Sequence, residues 1–255
     1  MKLPPYTNQQ QEIISYLYQF RYLVINQLIK LFGHNDKKWI QQLLNDLVRS
    51  KYIAQIKNEE IAKGYVYCLD TRSRHILKKD ENTDKAILGR LYKEKTKEVP
   101  FIKKLLFIVD IFLYFLSQKG KNEELNFFTA QELYTFDHFP DPKQSAYIEQ
   151  VEGKQTNRYF LEYFDEYSLP FVARKRVQYY LNYSQSGEWQ ANTDNTPSPS
   201  ILFILPTEKF KKHIEIYSKS IFEKNLGDDI DLFLTTKNEI KAGNVNWDEV
   251  KSEST

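Results

Sequence analysis

The sequence predicts an α+β protein, with an N-terminal winged helix-turn-helix at residues 1–79, a linker at 80–99 and a small mixed α/β domain at 100–255. Three observations predict it. An amphipathic helix at 36–49 runs directly into an alternating hairpin at 52–69. In the second half, short β-type runs alternate with helical ones. Charge is also divided: residues 1–79 carry 13 Lys+Arg against 6 Asp+Glu, whereas residues 100–255 carry 18 against 23. A basic first third and an acidic remainder imply two modules with different partners.

The first helix is expected to start at Thr7, a good N-cap, and to reach Phe20, with Ile13, Ile14, Leu17 and Tyr18 on one apolar face. Tyr22 to Val24 is too short to assign. A second helix, Val24 to Phe32, should bury Leu28 and Leu31 and stop at Gly33. The third, Asp36 to Arg49, has Ile40, Leu43, Leu44 and Leu47 at i, i+3, i+4, i+7 spacing and turns them to the core. Its other face presents Lys38, Gln41, Gln42, Asn45 and Arg49, with Lys37 at its start. Tyr52 to Lys57 reads as a strand with Tyr52, Ala54 and Ile56 on one side. A polar turn, Asn58 to Gly64, carries Lys63, and Tyr65 to Leu69 returns. A short helix, Thr71 to Lys79, closes the module.

Residues 80–99 are polar and charged apart from Ile87, Leu88, Leu91 and Tyr92. Phe101 to Gln118 is helical and nearly apolar all round, hence a buried helix. An amphipathic stretch, Phe127 to Phe136, contains Glu132. The expected strands are Ala146 to Val151, Tyr159 to Phe164, Ile201 to Leu205 and Leu232 to Leu234. The helices are Ala173 to Tyr183 and Thr207 to Lys224, and Ser184 to Ser200 reads as a polar loop.

Several chemistries drop out. A single cysteine, Cys68, excludes an intramolecular disulfide and a thiolate zinc cluster, and reads as a small buried hydrophobe. His34, His75, His138 and His213 show no metal-ligand spacing. A Gly-rich phosphate loop of the G-x-x-x-x-G-K-[ST] type is absent. The longest apolar run, Leu105 to Leu116, is interrupted by Asp110 and falls short of the ~20 residues of a bilayer span. Together with the polar Met1–Thr7, this gives an expectation of a soluble, cytoplasmic protein with no membrane partner.

Two candidate sites remain. The cations and amides of helix 36–49 are the residue types that reach phosphates and base edges in a major groove. The same face would suit plain solvation, and the adjoining hairpin, with Lys57 and Lys63 at its tip, tips the reading towards double-stranded DNA. The second site is a pair of carboxylates. Asp141 follows Pro140 just before one strand, and Glu162 is embedded in another, where burial is costly without a partner. Converging from neighbouring strands, the two could hold Mg²⁺. In the nuclease form of such a site a lysine follows the glutamate at two residues. Phe164 stands there instead, leaving Lys154 or Lys175 as substitutes. The alternative is structural: Asp141 caps a turn and Glu162 pairs with Arg174 or Arg176.

The segments "LVINQLIKLFG", "WIQQLLNDLVRSKYIAQI" and "YVYCLDTRSRHIL", followed by "FPDP", "YFLEYFDEYSLPFVARKRVQYYLNY", "PSILFILPTEKF" and "DIDLFLTT", resemble the replication-relaxation family of plasmids and integrative elements over about residues 8–248. The resemblance implies a winged helix followed by a domain resembling restriction endonucleases. It sets Asp141 and Glu162 at the family's acidic positions. The family's glutamate strand continues as Glu-x-Asp, whereas here Phe164 intervenes and Asp165 comes one residue late. Lys103 and Lys104 stand where a helix typically begins with His. These departures favour a nuclease-like scaffold without cleavage.

The leading expectation is therefore a non-enzymatic duplex-DNA-binding protein serving replication, transfer or maintenance of a mobile element. Its partners would be DNA, a replication or mobilisation protein, and a second copy as homodimer. The alternatives are a metal-dependent nuclease using Asp141, Glu162 and Lys175 with Mg²⁺ as the one cofactor, and a winged-helix transcriptional regulator whose C-terminal domain binds protein.

Overall fold

The computed structural model describes residues 4–79, 83, 88–89, 91–134, 136–224 and 230–251. Ile87 and the Tyr92 side chain lie outside them. The chain divides into two compact units, 1–113 and 114–255.

In the first unit, α1 (Asn8–Phe20) starts from a reciprocal cap: Gln10 N–H donates to Thr7 Oγ1 (3.2 Å) and Thr7 N–H to Gln10 Oε1 (3.0 Å). Ile13, Ile14 and Leu17 are fully buried beneath it. The segment too short to assign is a strand, β1 (Tyr22–Val24). It is followed by α2 (Ile25–Phe32), which ends at Gly33 in the left-handed region, φ +59°. Leu28 is buried, but Leu31 is only half-buried, contrary to expectation.

The third helix, α3 (Lys37–Arg49), is capped by Asp36, whose Oδ1 accepts from the N–H groups of Lys38 (2.8 Å) and Trp39 (3.1 Å). Ile40, Leu44 and Leu47 are buried. Leu43 is half-buried because, at 100° per residue, it lies at the edge of their stripe. Strands β2 (Ile53–Lys57) and β3 (Tyr65–Leu69) form the expected hairpin, and β1 completes an antiparallel sheet in the order β1-β3-β2. Ile53 is buried as well as Tyr52 and Ala54, so the strand is not cleanly two-faced. Cys68, on β3, is fully buried, and burial pushes its thiol up to about 12, with the Glu94 carboxylate adding to the rise. Residues 71–79 form a 3₁₀ turn (Thr71–Ser73) and one turn of α4 (Arg74–Leu77) rather than a continuous helix.

The expected linker does not end this unit. Leu88 and Leu91 are buried, and Glu94 is bound by Arg21 (Nη2–Oε1 2.8 Å) while its carbonyl accepts from Tyr22 OH (2.8 Å). The helix that follows, α5 (Val99–Gln118), contributes its first part: Gln27 Nε2 donates to Leu106 O and Asp110 Oδ1, both at 2.8 Å. The boundary thus falls at Leu113, later than the sequence suggested. A helix apolar on nearly all sides does not reveal from its pattern which core it joins.

The second unit is a mixed α/β domain. Its elements are β4 (Glu123–Thr129), α6 (Ala130–Leu133), β5 (Ala146–Glu152), β6 (Gln155–Tyr163), α7 (Pro170–Ser186), α8 (Glu188–Asn192), β7 (Ser200–Leu205), α9 (Glu208–Lys224), β8 (Leu232–Thr236), α10 (Lys237–Ala242) and β9 (Asp248–Glu249). The six-stranded sheet runs in chain order, β4 to β9. The pairs β4–β5, β5–β6 and β8–β9 are antiparallel; β6–β7 and β7–β8 are parallel. The parallel crossovers are made by α7 with α8, and by α9.

Within the amphipathic stretch Phe127 to Phe136, Phe127 to Thr129 end a strand, and a Thr129–Glu132 capping box starts a single helical turn. One expectation fails here: Ser184 to Ser200 is not all loop. α8 sits within it and buries Trp189, which packs edge-on against Phe139 (5.7 Å) and Phe160 (5.5 Å). One anchoring aromatic among polar neighbours leaves no periodic signal. Among the described residues no helix is long and apolar enough to cross a membrane.

Candidate functional site

The two sites expected from the sequence lie in different units and are built differently. In the first unit, α3 keeps Lys37, Lys38, Gln42, Asn45 and Arg49 exposed while its opposite stripe is buried. Lys37, Lys38 and Gln42 have no side-chain hydrogen bond or ion pair among the described residues. Arg49 is 3.8 Å from Asp46, and at 81% side-chain exposure this pair is weak. Asp46 also sits beside this row, so the face is not purely cationic. Gln41 is placed differently from the rest. It is half-buried, and its Nε2 donates to Asn45 Oδ1 (3.0 Å) and Tyr67 OH (3.3 Å). It ties the helix to β3, leaving Asn45 its Nδ2 donors. Lys57 ends β2 and Lys63 lies in the β2–β3 turn, both exposed. Asn58 shapes that turn, its Oδ1 accepting from Glu60 N–H (2.9 Å).

In the second unit, Glu162 lies on β6 at 7% exposure. Its Oε1 accepts from Arg176 Nε (2.8 Å), from Arg176 Nη2 and from Tyr180 OH (2.7 Å). Arg176 and Tyr180 lie one turn apart on α7, which directs both to the sheet. Arg176 Nη1 also donates to Pro142 O (2.9 Å). One guanidinium therefore joins β6, α7 and the segment before β5. Burial alone would lower the Arg176 pKa, but the Glu162 charge and Tyr180 outweigh it and raise it. Burial, and then Glu162, push the Tyr180 phenol far above its ordinary range.

The other candidates do not join this cluster. Asp141 is exposed, with its backbone N–H donating to Tyr179 Oη (2.7 Å). Lys175 follows the helical rotation outward and stacks over Phe171 at 5.4 Å. Lys154 sits in the β5–β6 turn, eight residues from Glu162 along an extended strand, roughly 26 Å at ~3.3 Å per residue. Phe164 is buried against Phe203 (5.0 Å), and Asp165 caps a turn through Tyr167 N–H and Ser168 Oγ. Lys103 and Lys104 lie on the part of α5 that belongs to the first unit. Among the described residues no group of three or more His, Cys, Asp or Glu could hold a metal ion. A cation at Glu162 would have to displace the guanidinium that already neutralises it.

No protein-family model and no curated protein matches the chain. Among solved structures, chains of restriction endonuclease FokI, in a free structure and in one bound to DNA, are similar to it at TM-scores of 0.34 and 0.33, each with 13% identity. Both cover 92% of this chain, and this chain spans under half of theirs, 44% and 45%. Superposition this loose assigns neither site nor activity.

Proposed function

We propose that the protein binds double-stranded DNA through a winged helix-turn-helix in its first unit, with α3 as the recognition helix and the β2–β3 hairpin as the wing. The observation that carries this reading is the exposed, unpaired row of Lys37, Lys38 and Gln42, continued by Asn45 and Arg49, on a helix whose other side is anchored in a core. The element order, with a three-stranded sheet of β1-β3-β2 beside the helices, supports it. Base edges call for amides and cations on a rigid element, and phosphates call for cations at its ends and on the wing.

The second unit is read as a nuclease-like scaffold that does not cut, because Glu162, its one buried strand carboxylate among the described residues, is committed to Arg176 and Tyr180. A place in the replication, transfer or maintenance of a mobile element, within the replication-relaxation family, rests on the sequence resemblance alone.

The test is duplex binding by the full chain, measured by fluorescence anisotropy across a salt series, for wild type and for Lys38→Ala combined with Gln42→Ala. Affinity should fall steeply with salt, and the double variant should bind at least ten-fold more weakly. Salt-insensitive binding, or an unchanged double variant, overturns the reading.

A further inference from the structure

A second cationic group lies in the first unit, on residues that belong neither to α3 nor to the wing. Arg74, His75 and Lys78 are exposed and, with Thr71 and Arg72, line a depression of about 340 Å³. Arg72 locates it. Its Nη1 donates to the carbonyl of Ser50 (3.0 Å), and Ser50 is the C-cap residue of α3. The group is thus fixed at the C-terminal end of that helix, whereas Lys37 and Lys38 are at the other. The carboxylate nearest in sequence, Asp70, is already engaged by Lys95 Nζ (2.7 Å) and by Thr71 N–H, and does not cancel the group's charge.

We propose that Arg72, Arg74 and Lys78 form a phosphodiester-binding site for the DNA strand that passes the C-terminal end of α3. This rests on the reading of α3 as the recognition helix. Thirteen residues at ~1.5 Å make α3 about 20 Å long, more than the ~12 Å width of a major groove, so both its ends approach a backbone. At the N-terminal end the helix dipole and the lysines attract phosphate. At the C-terminal end the dipole carries roughly half a negative charge and repels it. A helix lying in a groove therefore gains from positive charge at its C-terminus; Arg49 lies in its last turn, and Arg72 adds to it by binding the terminal Ser50 carbonyl directly. Arg74 and Lys78, four residues apart, extend from the same wall into solvent.

The experiment uses the full chain and a random-sequence duplex, comparing wild type with Arg74→Ala combined with Lys78→Ala. Both side chains are exposed, and an unchanged melting curve verifies the fold. Losing two phosphate contacts should lower the log affinity–log salt slope by about 1.8 units. Between 50 and 200 mM salt, the variant's affinity should therefore fall about 12-fold less than that of wild type. Relative preference among sequences should not change. If wild type binds and the variant's slope is unaltered, the phosphodiester site is wrong and the recognition-helix reading stands. If wild type shows no duplex binding, both fall.

Discussion

At the scale of single residues, Glu162 shows how one contact redefines a motif. An acidic side chain within an apolar strand suits a metal-dependent nuclease as well as it suits an ion pair, and the sequence left Arg174 and Arg176 equally open as partners. The helix decides. Arg176 shares a face with Tyr180 and is buried with Glu162, while Arg174 lies over the Tyr217 ring at 5.5 Å. The pair is expected to matter most when broken. Arg176→Ala leaves a carboxylate without a counter-charge and also frees the Pro142 carbonyl, and should destabilise the protein by about 3–5 kcal/mol in urea unfolding. Replacing Glu162 and Arg176 together by Leu should recover much of that loss. A double variant as unstable as the single one would show that the arginine's remaining bonds, not the pair, dominate.

At the scale of elements, α3 and the hairpin divide the work by rigidity. The helix is capped at Asp36, packed through Ile40, Leu44 and Leu47, and tied to β3 by Gln41, so its outward side chains are held in fixed register. The turn carrying Lys63 is exposed and polar, and a charge there suits the sequence-independent backbone. Lys63→Ala should weaken binding to all duplexes about equally and lower the salt slope by about one unit. A loss confined to one sequence would instead make the wing a reader of bases. The register of α3 was legible because four apolar residues at a 3.6 period leave little choice of face. Strand β1 was not, since three residues hold no period, and Tyr22 to Val24 becomes a strand only by pairing with Val66 to Cys68.

At the scale of the whole molecule, the alternation of strands and helices gave the α/β character of the second unit, but not its helix α8 or the place of the boundary. Asp141 and Glu162 were foreseen as a candidate pair. Whether they converge depends on the course of the segment before β5, which sequence spacing does not encode; the structure leaves one exposed and the other bound by an arginine. The cations of residues 72–78 were read only as part of a closing helix, because their role depends on the Ser50 carbonyl across the fold. The expected outcome for catalysis follows. Supercoiled plasmid incubated with the protein and Mg²⁺ or Mn²⁺ should stay intact. Metal-dependent nicking that disappears in Asp141→Ala and Glu162→Ala would restore the nuclease.

The last strand of the sheet bears on solubility. β8, Leu232 to Thr236, is covered on its outer side by the short β9, which pairs Phe233 with Glu249 and Leu234 with Asp248, and by Val250, whose N–H donates to Leu232 O (2.9 Å). That short cover is fastened by Lys211, whose Nζ lies 2.6 Å from Asp248. β9 thus acts as an acidic guard over an apolar strand edge, of the kind that keeps sheets from recruiting strands of other molecules. Lys211→Ala unfastens the guard while leaving the sheet's centre untouched. Its expected signature is concentration-dependent self-association in light scattering, appearing well below the temperature at which the chain unfolds.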